Sequence, residues 1–237
     1  MPLTLQATRE LGFLGLATGL LGLAVWLDHR SSTEVSVSTL RNPYAGSRNL
    51  LDAFASEDQD ASAANLADAG LYGGPTLPLL LALHPRPRQN FGTLLLIWLE
   101  TIYLNFAITS MIKNRVSRPR PYVLADVFPF KQVLSRNDRA AFLSGHASMA
   151  ATGGVLFALL VNHYFPHSDF RYGAFFLAGS VPGFTAFLRV KSAKHWPTDV
   201  VAGVLLGTGV AFWVMRSHED KKTGASRTGD AGKANNG

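Results

Sequence analysis

Three short polar clusters lie between Lys113 and Asp199. They are Lys113-Asn114-Arg115-Val116-Ser117-Arg118-Pro119-Arg120-Pro121, then Ser144-Gly145-His146, then Arg189 followed by His195 and Asp199. Hydrophobic runs separate them, so cations and two histidines gather at the ends of apolar segments, a pattern that calls for an anionic ligand. A phosphate ester suits these residue types, because arginine's planar fork matches phosphate oxygens and lysine adds a point charge. Ser144 and Gly145 at a helix start offer a hydroxyl and closely approachable backbone N–H groups to an anion. His146 is placed to give a proton to a departing alkoxide. Asp199, four residues after His195, is placed to accept one ring N–H, fix the tautomer and leave the other nitrogen free to attack phosphorus.

Each cluster taken singly has a plainer reading. A basic run beside a membrane span binds anionic lipid or marks topology. Ser-Gly-His is a weak tripeptide, and a histidine with an aspartate four residues on is structural or a metal site in many proteins. Arg115, Arg118, Lys191 and Lys194 are extra cations that read either as solvated, lipid-facing charges or as contacts to a larger headgroup. The conjunction is what points to chemistry, since all three clusters fall at span ends on the same face if the chain crosses a membrane six times.

The elements that must position them are therefore membrane helices. The chain has 237 residues, a net charge of +6 and 47% hydrophobic residues. Its mean hydropathy of +0.13 is low because polar loops and a polar tail dilute strongly apolar runs. With no cysteine, disulfides, thiolate metal sites and a cysteine nucleophile are excluded. Leu11–Leu27 reads as a first span; a cleaved signal peptide is the competing reading, against which no small-residue cleavage site follows. Asn49–Ala67 has the loose apolar and acidic alternation of a surface helix, or of an ordinary solvated one. Leu66–Leu83, interrupted by glycines and prolines, is a second span, its freed backbone groups to be covered by neighbouring helices.

Phe91–Ile112 is a third span, its 22 residues rising roughly 33 Å. Glu100 and Asn105 within it should face the bundle interior, with Glu100 about 20 Å from Lys113 along the helix and so structural in role. His146–Tyr164, Phe170–Leu188 and Thr198–Met215 complete an all-α, polytopic domain of six spans over residues 1–215. Residues 216–237 form a polar tail of disordered composition. Basic residues in that tail and at Arg86 and Arg88 put both termini in the cytoplasm and the clusters on the opposite face, of a plasma or inner membrane. The even more basic loop after Lys113 runs against that rule.

The clusters resemble the signature motifs of the type 2 phosphatidic acid phosphatase family, Lys-x6-Arg-Pro, Pro-Ser-Gly-His and Ser-Arg-x5-His-x3-Asp. Lys113, Arg120 and Pro121 match the first motif in full. Leu143 stands where the second motif has proline, and Leu188 where the third has serine, both at flanking positions. The resemblance implies a covalent two-step hydrolysis. In it His195 attacks phosphorus, Asp199 orients it, and His146 protonates the leaving group and then activates water. Lys113, Arg120, Ser144, Gly145 and Arg189 hold the phosphate oxygens. It implies no cofactor and no metal, and no carboxylate cluster that would bind a metal is visible in the sequence.

The expected partner is a phosphorylated lipid in the bilayer, not nucleic acid. Transfer of the phosphoryl group to another acceptor uses the same residues and stays open. So does a non-catalytic site for an anionic headgroup, although binding alone does not call for two histidines and an aspartate. A vanadium haloperoxidase, another branch of the same family, has no need of six spans.

Overall fold

The computed structural model describes residues 3–30, 49–125 and 133–219. The main helices are α1 (Ala7–Arg30), α2 (Ala61–Thr76, continued by a 3-10 segment, Leu77–Leu83), α3 (Phe91–Arg115), α4 (Gly145–Tyr164), α5 (Phe170–Lys191) and α6 (Pro197–His218). All six, α2 with its continuation, are long and apolar enough to cross a membrane. No strand occurs among the described residues. Local chemistry sets the ends: Asp60 accepts a bond from the Ala63 N–H (2.9 Å) and caps α2, Ser144 caps α4, and Pro197 opens α6.

Helix ends differ from the sequence expectation in ways that matter for the site. α3 runs on to Arg115 and α5 to Lys191, so Lys113 and Arg189 sit in last helical turns, their side chains carried by rigid backbone. The expected surface helix over 49–67 does not form as one unit. Asp52–Phe54 is a single 3-10 turn, and the cap at Asp60 starts a spanning helix that takes residues 61–67 with it. α6 continues to His218, so the tail begins later than Arg216. Residues 220–237, on which the disordered tail was expected, lie outside the described residues, as do 31–48 and 126–132 of the two long loops.

α4 is the central helix, packed against α2, α3, α5 and α6. Its inward face is built of small residues, Ala147, Ser148, Ala150, Ala151, Thr152, Gly153 and Gly154, all buried. Small side chains let helix backbones approach closely where lipid offers no hydrophobic drive for association. A β-carbon at Gly207 of α6 would sit 2.1 Å from the Ser148 carbonyl oxygen, and one at Gly153 equally close to the carbonyl oxygen of Gly74 in α2. Some polar groups in the spans are satisfied by neighbouring helices. The Ser148 hydroxyl donates to Asn105 Oδ1 (2.7 Å), and Trp98 Nε1 donates to the Pro75 carbonyl (2.6 Å), covering backbone freed near a proline. Large apolar side chains such as Leu16, Val25, Phe106, Phe176 and Leu205 are exposed on the outside of the bundle, as a lipid-facing surface requires.

Glu100 is buried, as expected, and it is not alone. Glu10 and His218 converge on it from the two ends of the chain. The expectation of no carboxylate cluster is therefore corrected; residues this far apart in sequence leave no spacing signal.

Candidate active site

α3 and α5 end, and α4 and α6 begin, at one end of the bundle, and the three clusters meet there. Ser144 N–H donates to the Asp199 carbonyl (3.0 Å), tying the starts of α4 and α6 together. Gly203 of α6 keeps that approach open, since a β-carbon there would lie 2.5 Å from the Ser144 carbonyl oxygen. Lys113 donates from Nζ to the Ala140 carbonyl (2.9 Å), and its Cε would be 3.6 Å from a β-carbon at Gly145. Its aliphatic stem thus runs beside the helix start that presents Ser144 and Gly145.

His195 lies in the turn between α5 and α6 and is 1% exposed. That turn is closed by the Arg189 carbonyl, which accepts from the N–H groups of Lys194 and His195 (3.2 Å each). Ala193 takes up the left-handed conformation (φ 57°) that the turn requires. Nδ1 of His195 sits 2.7 Å from the Ala141 carbonyl. A carbonyl only accepts, so Nδ1 carries the proton and Nε2 holds the lone pair. Burial, and then the charges of Lys113, Arg120 and Arg189, hold the ring's pKa well below the usual value near 6.5. The result is a neutral imidazole with a free nitrogen, surrounded by three cations.

Asp199 does not hold that ring in the expected way. Its Oδ2 is 3.8 Å from His195 Nδ1, beyond hydrogen-bond reach. As the third residue of α6 it turns back instead to accept the Trp196 N–H (2.8 Å), and Oδ1 is taken by Arg118 Nη1. The contact that orients the His195 ring is made by the Ala141 backbone, and Asp199 holds the start of the helix behind it.

The other predicted side chains are arranged around this centre. Arg120 is fixed by Asn137, whose backbone carbonyl accepts from Nε (2.8 Å) and whose side-chain oxygen accepts from Nη2 (2.7 Å). Arg189 is 6% exposed, and its buried Nε has no acceptor among the described residues. The Ser144 hydroxyl is occupied with capping, accepting from the Ala147 N–H at 3.4 Å. His146 pairs through Nε2 with Asp68 Oδ1 of α2 (2.9 Å). Leu143 and Leu188, at the two departures from the motifs, are both buried; Leu188 packs on Ala63 and Ala67 of α2.

Several contributors escaped the sequence reading. Arg118, read there as an extra cation, bridges two buried carboxylates, Asp199 and Asp52 (2.6 Å to the latter). It also lies over the Trp196 ring. Asp52 in turn accepts from the Thr198 N–H (3.1 Å) and hydroxyl (2.9 Å), locking the turn before α2 onto α6. Asp68 left a signal that went unused, a carboxylate inside an otherwise apolar span. Asp52 and the Ala141 carbonyl left none.

Comparisons with known proteins bear on the family and the fold. A family model described as the PAP2 superfamily matches residues 94–223, just over half of the chain and all three clusters. One solved structure shares the fold: "the first transmembrane PAP2 type phosphatidylglycerolphosphate phosphatase from Bacillus subtilis". It matches with a TM-score of 0.50 at 19% identity, over 90% of this chain and 98% of that one. No curated protein sequence matches significantly.

Proposed function

The chain belongs to the PAP2 superfamily, and from that premise we propose that it is an integral membrane phosphatase that cleaves a phosphomonoester or diphosphate of a membrane lipid. The observation that carries this reading is His195, a buried neutral imidazole whose Nδ1 is tied to the Ala141 carbonyl and whose surroundings are Lys113, Arg120 and Arg189. Two of these cations, Arg120 and Arg189, are buried, and buried charge is costly without anions to meet it. A phosphate among them neutralises that charge and brings phosphorus to the one unprotonated nitrogen.

The reaction runs in two halves. His195 Nε2 attacks phosphorus, the P–O bond to the lipid breaks, and His146 gives its proton to the departing oxygen. A water then loses its proton to His146 and attacks the phosphohistidine, releasing phosphate and restoring His195. Lys113, Arg120 and Arg189 hold the three outer oxygens, where charge develops. Gly145 and Ser144 bring the first N–H groups of α4 toward the same oxygens. Asp68 sets which nitrogen of His146 carries a proton.

A groove of about 370 Å³ between α2 and α5, lined by Leu66, Ala69, Gly70, Val181 and Phe184 among others, suits an acyl or prenyl chain. Among lipid phosphates we favour a phospholipid or a polyprenyl diphosphate, either of which sets a phosphate at headgroup depth. The termini are assigned to the cytoplasm and the site to the opposite face by the basic residues Arg86, Arg88 and Arg216.

The test is phosphate release by purified protein from a panel of lipid phosphates in detergent micelles, with vanadate as inhibitor. Trapped acid-labile phosphoenzyme, discharged by water, is the expected intermediate; discharge only by an added alcohol would make the protein a phosphotransferase. Undiminished turnover in His195→Ala would falsify the mechanism.

A further inference from the structure

A second buried polar cluster lies at the other end of the bundle. Glu10 near the start of α1, Glu100 in α3 and His218 at the end of α6 are each buried, and one donor atom from each lies within 4.8 Å of the others. His218 is 21 residues along α6 from Pro197, roughly 32 Å from the active-site end.

The imidazole makes the cluster more than a set of acids. His218 Nδ1 lies 2.8 Å from the Val214 carbonyl. That oxygen only accepts, so a neutral ring carries its proton on Nδ1 and a lone pair on Nε2. Yet Nε2 faces two carboxylates, Glu10 Oε2 at 3.1 Å and Glu100 Oε2 at 3.2 Å. Three electron-rich atoms converge on one point, and a positive species must stand among them.

Glu100 gives the independent sign. Its side chain is wholly inaccessible, and neither oxygen has a hydrogen bond among the described residues. Glu10 is better served, since its Oε1 accepts from the Gln6 N–H (2.8 Å) and from Arg9 Nη2 (2.6 Å). The other contacts of Arg9 go to the carbonyls of Ser217 and Thr4.

We propose that Glu10, Glu100 and His218 form a binding site for a divalent transition-metal cation of the zinc type, cross-linking α1, α3 and α6. Two metal–ligand arms of about 2.0–2.2 Å at a tetrahedral angle span roughly 3.3–3.6 Å, close to the observed 3.1 and 3.2 Å. One imidazole and two carboxylates are ligands that zinc accepts. A ligating histidine is held by a bond from its other nitrogen to a carbonyl or carboxylate, as Val214 holds His218 here. A water or a second carboxylate oxygen completes the tetrahedron. The site joins both ends of the described chain to the bundle, where Thr4 N–H already donates to the His218 carbonyl (3.0 Å).

The experiment uses the purified full-length protein, equilibrated with zinc chloride, desalted and assayed for bound metal by mass spectrometry and X-ray absorption. Wild type should retain one equivalent, with a light-atom shell at about 2.0–2.2 Å containing a single imidazole. Glu100→Gln, nearly isosteric, should lose it while keeping its elution volume and phosphatase turnover. Equal retention by wild type and Glu100→Gln overturns the proposal, as does a shell of several imidazoles. If Glu100→Gln does not fold, the wild type alone decides. Its thermal midpoint should fall on chelation and recover with zinc, and a midpoint indifferent to both overturns the proposal in favour of a proton shared among the three side chains.

Discussion

His195 and His218 bracket the same helix and use their rings in the same way, yet they stand in opposite fields. Each has Nδ1 on a backbone carbonyl, Ala141 for one and Val214 for the other, which turns Nε2 into the reactive nitrogen. Around His195 the neighbours are Lys113, Arg120 and Arg189; around His218 they are Glu10 and Glu100. The first end suits an anion under attack and the second a cation held in place. A histidine's role in this fold is therefore set by the charges that other helices bring to it, and much less by its own local geometry.

The sharpest way to break the comparison is His195→Ala. Loss of the nucleophile should lower phosphate release by at least ~10³-fold, while thermal unfolding and metal retention at the far end stay as in wild type. Next in size is Arg118→Met. It leaves Asp199 and Asp52 buried without their cation, at a cost of about 3 kcal/mol, read as a lowered thermal midpoint. Phosphate release should fall with it, because the start of α6 carries the turn that holds His195.

Asp68→Asn should act more gently. It keeps the shape of the contact to His146 but removes the charge, and turnover should drop by roughly 10–100-fold with little change in stability. The drop should shrink for substrates with better leaving groups, since these need less help from a proton donor. A uniform loss across leaving groups would show that Asp68 only supports packing.

Two smaller effects separate the ends by pH and by metal. With its pKa held well below 6.5, His195 stays unprotonated as pH falls through about 6.5, so nitrogen NMR should find the ring neutral there. In the unfolded chain the same ring takes a proton near that pH. The native state binds fewer protons, so this group's contribution to stability is present above about 6.5 and is lost as pH falls toward the native pKa. Chelator should leave phosphate release unchanged, because the acid that lies beside His195 among the described residues, Asp199, is already bound by Arg118. A chelator-sensitive turnover would erase the division between the two ends.

Much of the candidate site was legible because its residues fall at fixed spacings along short stretches. Lys113, Arg120, Ser144, Gly145, His146, Arg189, His195 and Asp199 were all identified from the clusters, and the structure brings them together at one end. What spacing could not reveal was division of labour. Asp199 sits four residues from His195 and still misses it, because a carboxylate at the third position of a helix is drawn to the backbone N–H before it. Arg118 looked redundant beside Arg120 and proved to be the partner of Asp199.

Hydrophobic run length alone determined the helical class, the six spans and the end of each span at which polar residues gather, because a bilayer leaves backbone few other ways to be satisfied. The sequence also determined which residues are candidates for phosphate chemistry, through motifs short enough to lie on single turns. Only the tertiary structure decided that Ala141 holds the His195 ring, that Asp68 and Asp52 reach the clusters from the second span and the turn before it, and that Glu10, Glu100 and His218 converge. Those contacts join residues far apart in the chain, and the close approach of small-residue helix faces around α4, which no local pattern encodes, brings them together.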